Sequence, residues 1–179
     1  MLYYEIDEDL ELRFISMRYK EELFALVIDN LDYLGEWMAW ANEGTKEQDT
    51  KEYIERARKN LAQETQLPLL MFLKGEIIGT ISLFNIDMIN RSSEVGYWLA
   101  KEHQGKGIIT RSCRELIKYG FEELNLNRIV IRCATENFKS QAIPERLGFK
   151  KEGVSRQVEW LHDKFVGLVV YSLIKEEWK

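Results

Sequence analysis

The sequence predicts a single-domain α/β fold, with a mixed and mostly antiparallel sheet of about seven strands and helices on both faces. Strand-like runs follow two helical segments. A strand, a glycine turn, a helix and a further strand then follow one another across 94–133, the order of a parallel βαβ unit. The run 165–174 is apolar on both faces, which indicates a strand covered on both sides. A chain of 179 residues fits one domain, 1–179.

The residue pattern of the N-terminal third predicts one strand and several helical segments. Residues 10–14 alternate between apolar and polar side chains, the period of a strand. Apolar residues between 18 and 40 fall at helical spacing, and Gly35 is expected to break this stretch in two. Thr45 or Thr50 could cap a further helix that extends to about residue 64. These helices, with a tryptophan-rich end, could pack on the sheet or cover a cleft.

The middle of the chain predicts most of the sheet. The elements are, in order, strands at 69–73, 76–87 and 94–99, a helix from 109 to about 125, and a strand at 128–133. Lys74 and Gly75 form the turn of a hairpin between the first two strands. The helix crosses over between its flanking strands, so those strands should be parallel.

The C-terminal part predicts a short helix and a final hairpin. Residues 138–147 have helical character and are followed by Gly148, the residue type that commonly ends a helix. Pro144 cannot donate to the Ser140 carbonyl, so the helix should kink or begin late. The hairpin strands are 150–161 and 165–174, the second of them central in the sheet.

Composition and charge exclude several classes of protein. The chain is 45% hydrophobic and 31% charged, without an apolar run near the roughly 20 residues of a membrane span or a signal-peptide pattern. Two cysteines make no disulfide framework, so we expect a cytoplasmic protein with no membrane partner. The net charge of −5 argues against nucleic-acid binding. Residues 1–66 hold 16 acidic and 8 basic side chains and the rest hold 14 and 17, so an anionic ligand belongs with the later part.

The glycine turn between 94–99 and the following helix is a candidate phosphate site. Gly105 and Gly107 allow an anion to approach the main chain, and the helix N-terminus presents free N–H groups with a positive dipole. Nearby positive charge comes from Lys101, Lys106, Arg111 and Arg114. A solvent-exposed loop with glycines used only for turning explains the short motif equally well.

Five pieces of sequence carry a family resemblance when taken together and in order. They are 94–99 (EVGYWL), 103–108 (HQGKGI), 136–137 (EN), Ser140, and 147–153 (LGFKKEG). They resemble the GNAT N-acetyltransferase superfamily and, within it, the ribosomal-protein N-terminal acetyltransferases of the RimJ/RimL type. The resemblance covers nearly the whole chain and implies a GNAT-like sheet with acetyl-CoA as cofactor.

The resemblance also implies which residues hold acetyl-CoA. Main-chain N–H groups from Lys106 to Thr110 would bind the pyrophosphate, and the strand 97–100 would pair with the pantetheine arm where it splays from 128–133. A main-chain N–H near Leu99 would polarise the thioester carbonyl. Ile109 departs from the family pattern, which has a small residue there. The implied cofactor-binding residues are Trp98, Leu99, Ala100, Gln104, Gly105, Lys106, Gly107, Ile108, Ile109, Thr110 and Asn137.

The catalytic candidates are Glu159 and Ser140. Alternation in the strand after 153 places Glu159 on a polar face with Ser155 and Gln157, where a carboxylate can take a proton from an attacking amine. The resemblance points to the same glutamate, and to Ser140 as the partner of the leaving sulfur. An exposed strand charge and a helix-start serine are the structural alternatives. Tyr171 is a second acid candidate, although a core position suits it better.

Other chemistries are less well supported. Cys113 and Cys133 lie in apolar surroundings and suit small hydrophobic residues better than nucleophiles. The two histidines lack metal-ligand spacing, and the glycine turn lacks the P-loop pattern.

The predicted function is therefore direct acetyl transfer from acetyl-CoA to a primary amine, preferably a protein N-terminus. A polyamine or antibiotic acceptor, or a non-catalytic acyl-CoA-binding module, are the alternatives. Surfaces around Trp37, Trp40 and Trp178 could support a homodimer or higher homo-oligomer.

Overall fold

The computed structural model describes residues 3–179, with Tyr3 described by its backbone alone. The helices are α1 (Lys20–Asp29), α2 (Leu31–Gly35), α3 (Glu47–Ala62), α4 (Ile108–Glu122) and α5 (Phe138–Arg146). The strands are β1 (Tyr3–Glu5), β2 (Leu10–Phe14), β3 (Leu67–Leu73), β4 (Glu76–Asp87), β5 (Ser92–Leu99), β6 (Arg128–Ala134), β7 (Lys150–Leu161) and β8 (Lys164–Ile174). Over this range they form one eight-stranded sheet in the order β1-β2-β3-β4-β5-β6-β8-β7.

The predicted α/β architecture is confirmed, with one strand more than expected. All neighbouring strands are antiparallel except β5 and β6, which are parallel and joined through α4. The apolar strand β8 lies between β6 and β7, as its two-sided pattern predicts. The added strand β1 pairs with β2, and its three residues are too few to show a period in the sequence.

Helices cover both faces of the sheet and enclose two cores. On one face α1 and α3 bury Leu23 and Ile54 against Leu70 and Phe72. On the other face α4 contributes the larger cluster, which also takes up Trp178 through its contact with Phe121 at 6.0 Å between ring centroids. Trp178 is therefore partly buried against this core, whereas Trp40 is half exposed.

Two helix boundaries in the N-terminal third differ from prediction. The break between the first two helices falls at Asn30 rather than Gly35, where α2 ends. Asn30 has a structural reason to be there, because its Oδ1 accepts a 2.8 Å hydrogen bond from the Lys101 N–H. Neither threonine caps α3, which begins after Lys46; the Asp49 carboxylate accepts from the Lys46 N–H at 2.7 Å. In the described part of the chain, residues 3–179, none of the helices is long and apolar enough to cross a membrane.

Glu152 on β7 ties three strands together. Its carboxylate accepts two 2.6 Å bonds from Arg128 on β6 and a 2.8 Å bond from the Ser172 hydroxyl on β8. These contacts, with Arg128 the stronger, lower the pKa of Glu152 to about 2. The resulting stabilisation is present above the carboxyl's ordinary pKa and is lost as pH falls through the folded value.

Replacing Glu152 by Gln is expected to lower the free energy of unfolding at pH 7 by up to ~1 kcal/mol, because the ion pair is substantially solvated. Between pH ~4 and pH ~2 the wild type loses this contribution, and the two proteins converge. Urea unfolding at pH ~7 and at pH ~2 measures both values. If the free energies of unfolding of the two proteins differ by the same amount at both pH values, the Glu152 carboxylate does not make this pH-dependent contribution.

Candidate active site

The turn before α4 leaves main-chain N–H groups open to a ligand. Gly105 and Gly107 have φ of +73° and +69°, which glycine adopts at little cost. A Cβ at either position would meet no atom within 4 Å, so the space above the turn is open. Gly107 precedes the helix without a side-chain cap, and the N–H groups of Ile108, Ile109 and Thr110 have no acceptor within the helix. This arrangement fits a pyrophosphate.

The side chains around this turn are arranged to leave the backbone accessible. Ile109 is only 9% exposed and packs in the core of α4, so its bulk is taken up away from solvent. Thr110 accepts a 3.2 Å hydrogen bond from Arg146, and Gln104 lies near the Tyr33 hydroxyl. Arg111, expected to add charge to the turn, forms an ion pair with Asp7.

The parallel strands β5 and β6 separate soon after they meet. Among the described residues their register comprises three pairs, of which Glu94 with Val130 is the last. Beyond it β5 stays paired with β4 up to Leu99, and β6 stays paired with β8 up to Ala134. A wedge-shaped gap between neighbouring strands therefore opens at the centre of the sheet.

Main-chain N–H groups at the end of β5 point alternately to β4 and into this gap. The Ala100 N–H donates to the Ile78 carbonyl on β4 at 2.8 Å, and the Ala100 carbonyl accepts from His103 at 3.0 Å. Because N–H directions alternate along a strand, the Leu99 N–H points to the opposite side, into the gap. It is therefore free to meet an acceptor there, whereas both polar main-chain groups of Ala100 have partners inside the protein.

Ser140 lies in the first turn of α5, against the sheet. The Asn137 side chain caps this helix by accepting from the Ser140 N–H at 3.1 Å. The Ser140 hydroxyl is thereby not needed as a cap. Its Oγ donates to Cys133 Sγ at 3.2 Å and lies 3.3 Å from the Tyr97 hydroxyl. The serine is therefore beside both strands that border the gap.

Tyr97 and Cys133 are site residues that sequence reasoning did not select. One signal for Tyr97 was present, because Pro144 deprives the Ser140 carbonyl of its helical donor and requires another partner. The Tyr97 hydroxyl supplies that donor at 3.3 Å. The helix does not begin late, since α5 runs from Phe138 through Pro144.

Glu159 lies on the opposite face of the sheet from Ser140. It pairs with Val166 of β8, and Ser155 pairs with Leu168, so both side chains share one face as predicted. Cys133 pairs with Val169 and therefore faces the other side. Three residues, 156–158, bulge between the pairs, and Gln157 adopts φ of +50°, which removes it from the predicted alternation.

Comparison with known proteins identifies the family. A model described as an acetyltransferase (GNAT) domain matches residues 10–150. The chain belongs to the GNAT acetyltransferase family. It is an N-acetyltransferase, and acetyl-CoA is its cofactor. The family predicted from the five pieces of sequence is thus confirmed.

Three known proteins are similar to this acetyltransferase over nearly its whole length. It is 40% identical to a putative ribosomal N-acetyltransferase, YdaF, of Bacillus subtilis (strain 168), covering 98% of this chain and 96% of the relative. It is 32% identical to the ribosomal-protein-serine acetyltransferase of Escherichia coli (strain K12), covering 95% of each. A structure of RimL, a ribosomal L7/L12 α-N-protein acetyltransferase, matches with a TM-score of 0.93 and 26% identity over 98% of this chain and 99% of RimL. In that structure coenzyme A is joined to a cysteine through a disulfide.

Tyr171 and the two cysteines of this acetyltransferase are poorly suited to act as an acid or as nucleophiles. Tyr171 is 1% exposed, and its hydroxyl bonds to Glu145 at 3.0 Å. Burial, followed by that carboxylate, raises the pKa of Tyr171 to about 12. Burial likewise raises the pKa of the Cys113 and Cys133 thiols. Neutral thiols are poor nucleophiles, which favours the interpretation of both cysteines as small apolar residues.

The face of this acetyltransferase that carries Glu159 is bordered by aromatic side chains. Trp98 alternates with Tyr97 along β5 and so points away from Ser140, with its ring 6.5 Å from that of Trp40. The hairpin of β7 and β8 reaches the segment after α2, where His162 lies 3.3 Å from the Glu36 carbonyl. Trp98 and Trp40 therefore lie on the sheet face opposite Ser140.

Proposed function

We propose that the protein transfers an acetyl group from acetyl-CoA to the N-terminal α-amine of a protein, with ribosomal proteins as the preferred class. The observation that carries the proposal is the gap between β5 and β6, with the Ser140 hydroxyl beside it. Glu159 lies on the opposite face of the sheet. Two relatives whose names specify ribosomal proteins support the acceptor class. Both cysteines are free thiols, which agrees with a cytoplasmic setting.

The open turn and the gap fit the two ends of acetyl-CoA. Residues 104–110 hold the pyrophosphate through main-chain N–H groups, with Asn137 and the β5 backbone at Leu99 along the pantetheine arm. The cofactor supplies an acetyl thioester, whose carbonyl is electrophilic. The Leu99 N–H polarises that carbonyl from within the gap.

In direct attack within a ternary complex, groups on the two faces of the sheet have different roles. Glu159 takes the proton from the attacking amine, directly or through water, on the face bordered by Trp98. A peptide α-amine has a pKa near ~8, against ~10.4 for lysine, so a carboxylate is a sufficient base for an N-terminus. Ser140 donates a hydrogen bond to the departing thiolate on the other face.

Free-thiol release tests the proposal over a panel of acceptors. The panel contains a peptide with a free N-terminus, the same peptide with a blocked N-terminus and an internal lysine, spermidine, and an aminoglycoside. We expect the free N-terminus to be the preferred acceptor. Release with spermidine or the aminoglycoside alone would establish a small-amine enzyme instead. Binding of acetyl-CoA without release for any acceptor would establish a binding module.

Replacing Ser140 by Ala is expected to lower kcat about 10-fold to 100-fold, because a hydrogen bond to a charged group contributes ~1.5–3 kcal/mol. KM for acetyl-CoA should stay within about 2-fold, since the bond strengthens only as the thiolate forms. Steady-state kinetics with the free-N-terminus peptide measures both constants. An unchanged kcat would remove Ser140 from the mechanism.

A further inference from the structure

The Tyr97 hydroxyl contacts Ser140 twice and extends the site beyond the residues considered above. It lies 3.3 Å from the Ser140 carbonyl oxygen and 3.3 Å from Ser140 Oγ. We propose that Tyr97 is a positioning residue, which fixes the first turn of α5 and aims the Ser140 hydroxyl at the sulfur of coenzyme A. This inference rests on the proposed function, because it assigns Tyr97 to the serine that assists the leaving thiolate.

Pro144 explains why a side chain from the sheet can take this place. In a regular helix the Ser140 carbonyl accepts from the N–H of residue 144, and proline has none. The carbonyl is therefore available to the Tyr97 hydroxyl, which donates its single proton there. The proline and the tyrosine together anchor α5 to β5 at the residue that carries the candidate hydroxyl.

The proton arrangement around Ser140 follows from this contact. Burial is the main cause that raises the pKa of Tyr97 well above its ordinary value, so the phenol stays neutral and remains a donor. With its proton on the carbonyl, the phenol oxygen can only accept from Ser140 Oγ. Cys133 Sγ, 3.2 Å away, is a weak alternative acceptor. The Ser140 hydroxyl proton therefore has two weak acceptors, the Tyr97 oxygen and Cys133 Sγ. It can leave them to form a hydrogen bond with the thiolate of coenzyme A as that charge develops.

Tyr97→Phe removes the hydroxyl and preserves the ring. We expect kcat to fall about 3-fold to 10-fold, in line with the loss of one neutral hydrogen bond, while KM for acetyl-CoA stays within about 2-fold. In the Ser140→Ala background the same change should have no further effect on kcat, because the group that Tyr97 positions is absent. An equal fold-loss in both backgrounds would overturn the proposal and leave Tyr97 a structural residue.

Tyr171→Phe is the matched comparison, since its hydroxyl is also buried and also bonds to α5, but at Glu145 and Gln141. Any effect of Tyr171→Phe on kcat should be the same with and without Ser140. Pro144→Ala provides a second route that keeps the tyrosine. This substitution restores an N–H donor to the Ser140 carbonyl, which then competes with the Tyr97 hydroxyl. We expect kcat to fall about 2-fold. An unchanged kcat would count against the proposal that Tyr97 positions Ser140 through this carbonyl.

A binding measurement tests the inference without any acceptor. Calorimetry compares coenzyme A with desulfo-coenzyme A from pH 6.5 to 9.5, across the ionisation of a thiol near ~8.5. In the wild type the preference for coenzyme A should rise with pH as the thiolate gains the Ser140 bond, and in Tyr97→Phe this rise should be about 3-fold smaller. A full rise in Tyr97→Phe overturns the Tyr97 inference alone. No rise in the wild type overturns the Ser140 role in the proposed function and, with it, the inference.

Discussion

Replacing Glu159 by Gln is expected to lower kcat/KM for a peptide N-terminus about 10²-fold to 10⁴-fold at pH 7, the range that a general base contributes. Glutamine keeps the size of the side chain and cannot take a proton. The deficit should shrink as the pH rises above ~8, because the α-amine then loses its proton to solvent without help. Steady-state rates from pH 6 to 10 measure this profile.

Glu152→Gln is the matched control, because it removes a carboxylate from the same strand. Glu152 is committed to Arg128 and Ser172, so its loss should affect the free energy of unfolding and leave kcat/KM within about 2-fold. If Glu159→Gln matches the wild type at every pH, Glu159 is not the base. A deficit that stays constant from pH 6 to 10 would assign Glu159 to positioning the acceptor instead.

Gly107→Val is expected to weaken acetyl-CoA binding about 100-fold or more. The native φ of +69° is unfavourable for a β-branched residue, and the new side chain would occupy the open space above the turn. Loss of two main-chain bonds to a charged pyrophosphate, at ~1.5–3 kcal/mol each, accounts for an effect of this size. Calorimetric titration with acetyl-CoA measures the dissociation constant directly.

Gly75→Val separates this effect from backbone strain. Gly75 has φ of +87° in the turn between β3 and β4, and a Cβ there also meets no atom within 4 Å. Both variants should lose comparable stability, whereas Gly75→Val should bind acetyl-CoA like the wild type. Equal affinities in the two variants would show that residues 104–110 do not hold the cofactor.

The sequence contained most of the fold because the strands carry local periodicity. The two-sided apolar pattern of β8 predicted its internal position, and the helix between β5 and β6 predicted their parallel pairing. Features that depend on distant partners were not predictable in this way. The break at Asn30 reflects a bond to Lys101, and the bulge at 156–158 interrupts an alternation that the residue types alone suggest is continuous.

The same distinction between local features and contacts with distant residues applies to the candidate site. The glycine turn is a local feature and was found from residue types and spacing. The contact between Tyr97 and Ser140 joins residues 43 apart in the sequence, and only the missing N–H of Pro144 hinted that such a partner exists. Which side of the sheet each candidate faces followed from strand register, which places Glu159 and Ser140 on opposite faces of the sheet.

Mass spectrometry of one acetylated peptide tests the central claim most directly. The peptide carries a free N-terminal serine and one internal lysine, and is incubated with the protein and acetyl-CoA at pH 7. Acetyl transfer to an N-terminal amine predicts that fragmentation places the added acetyl group on the α-amine, with the lysine unmodified. Acetylation of the lysine alone, or an unmodified peptide despite measurable acetyl-CoA binding, would contradict the account.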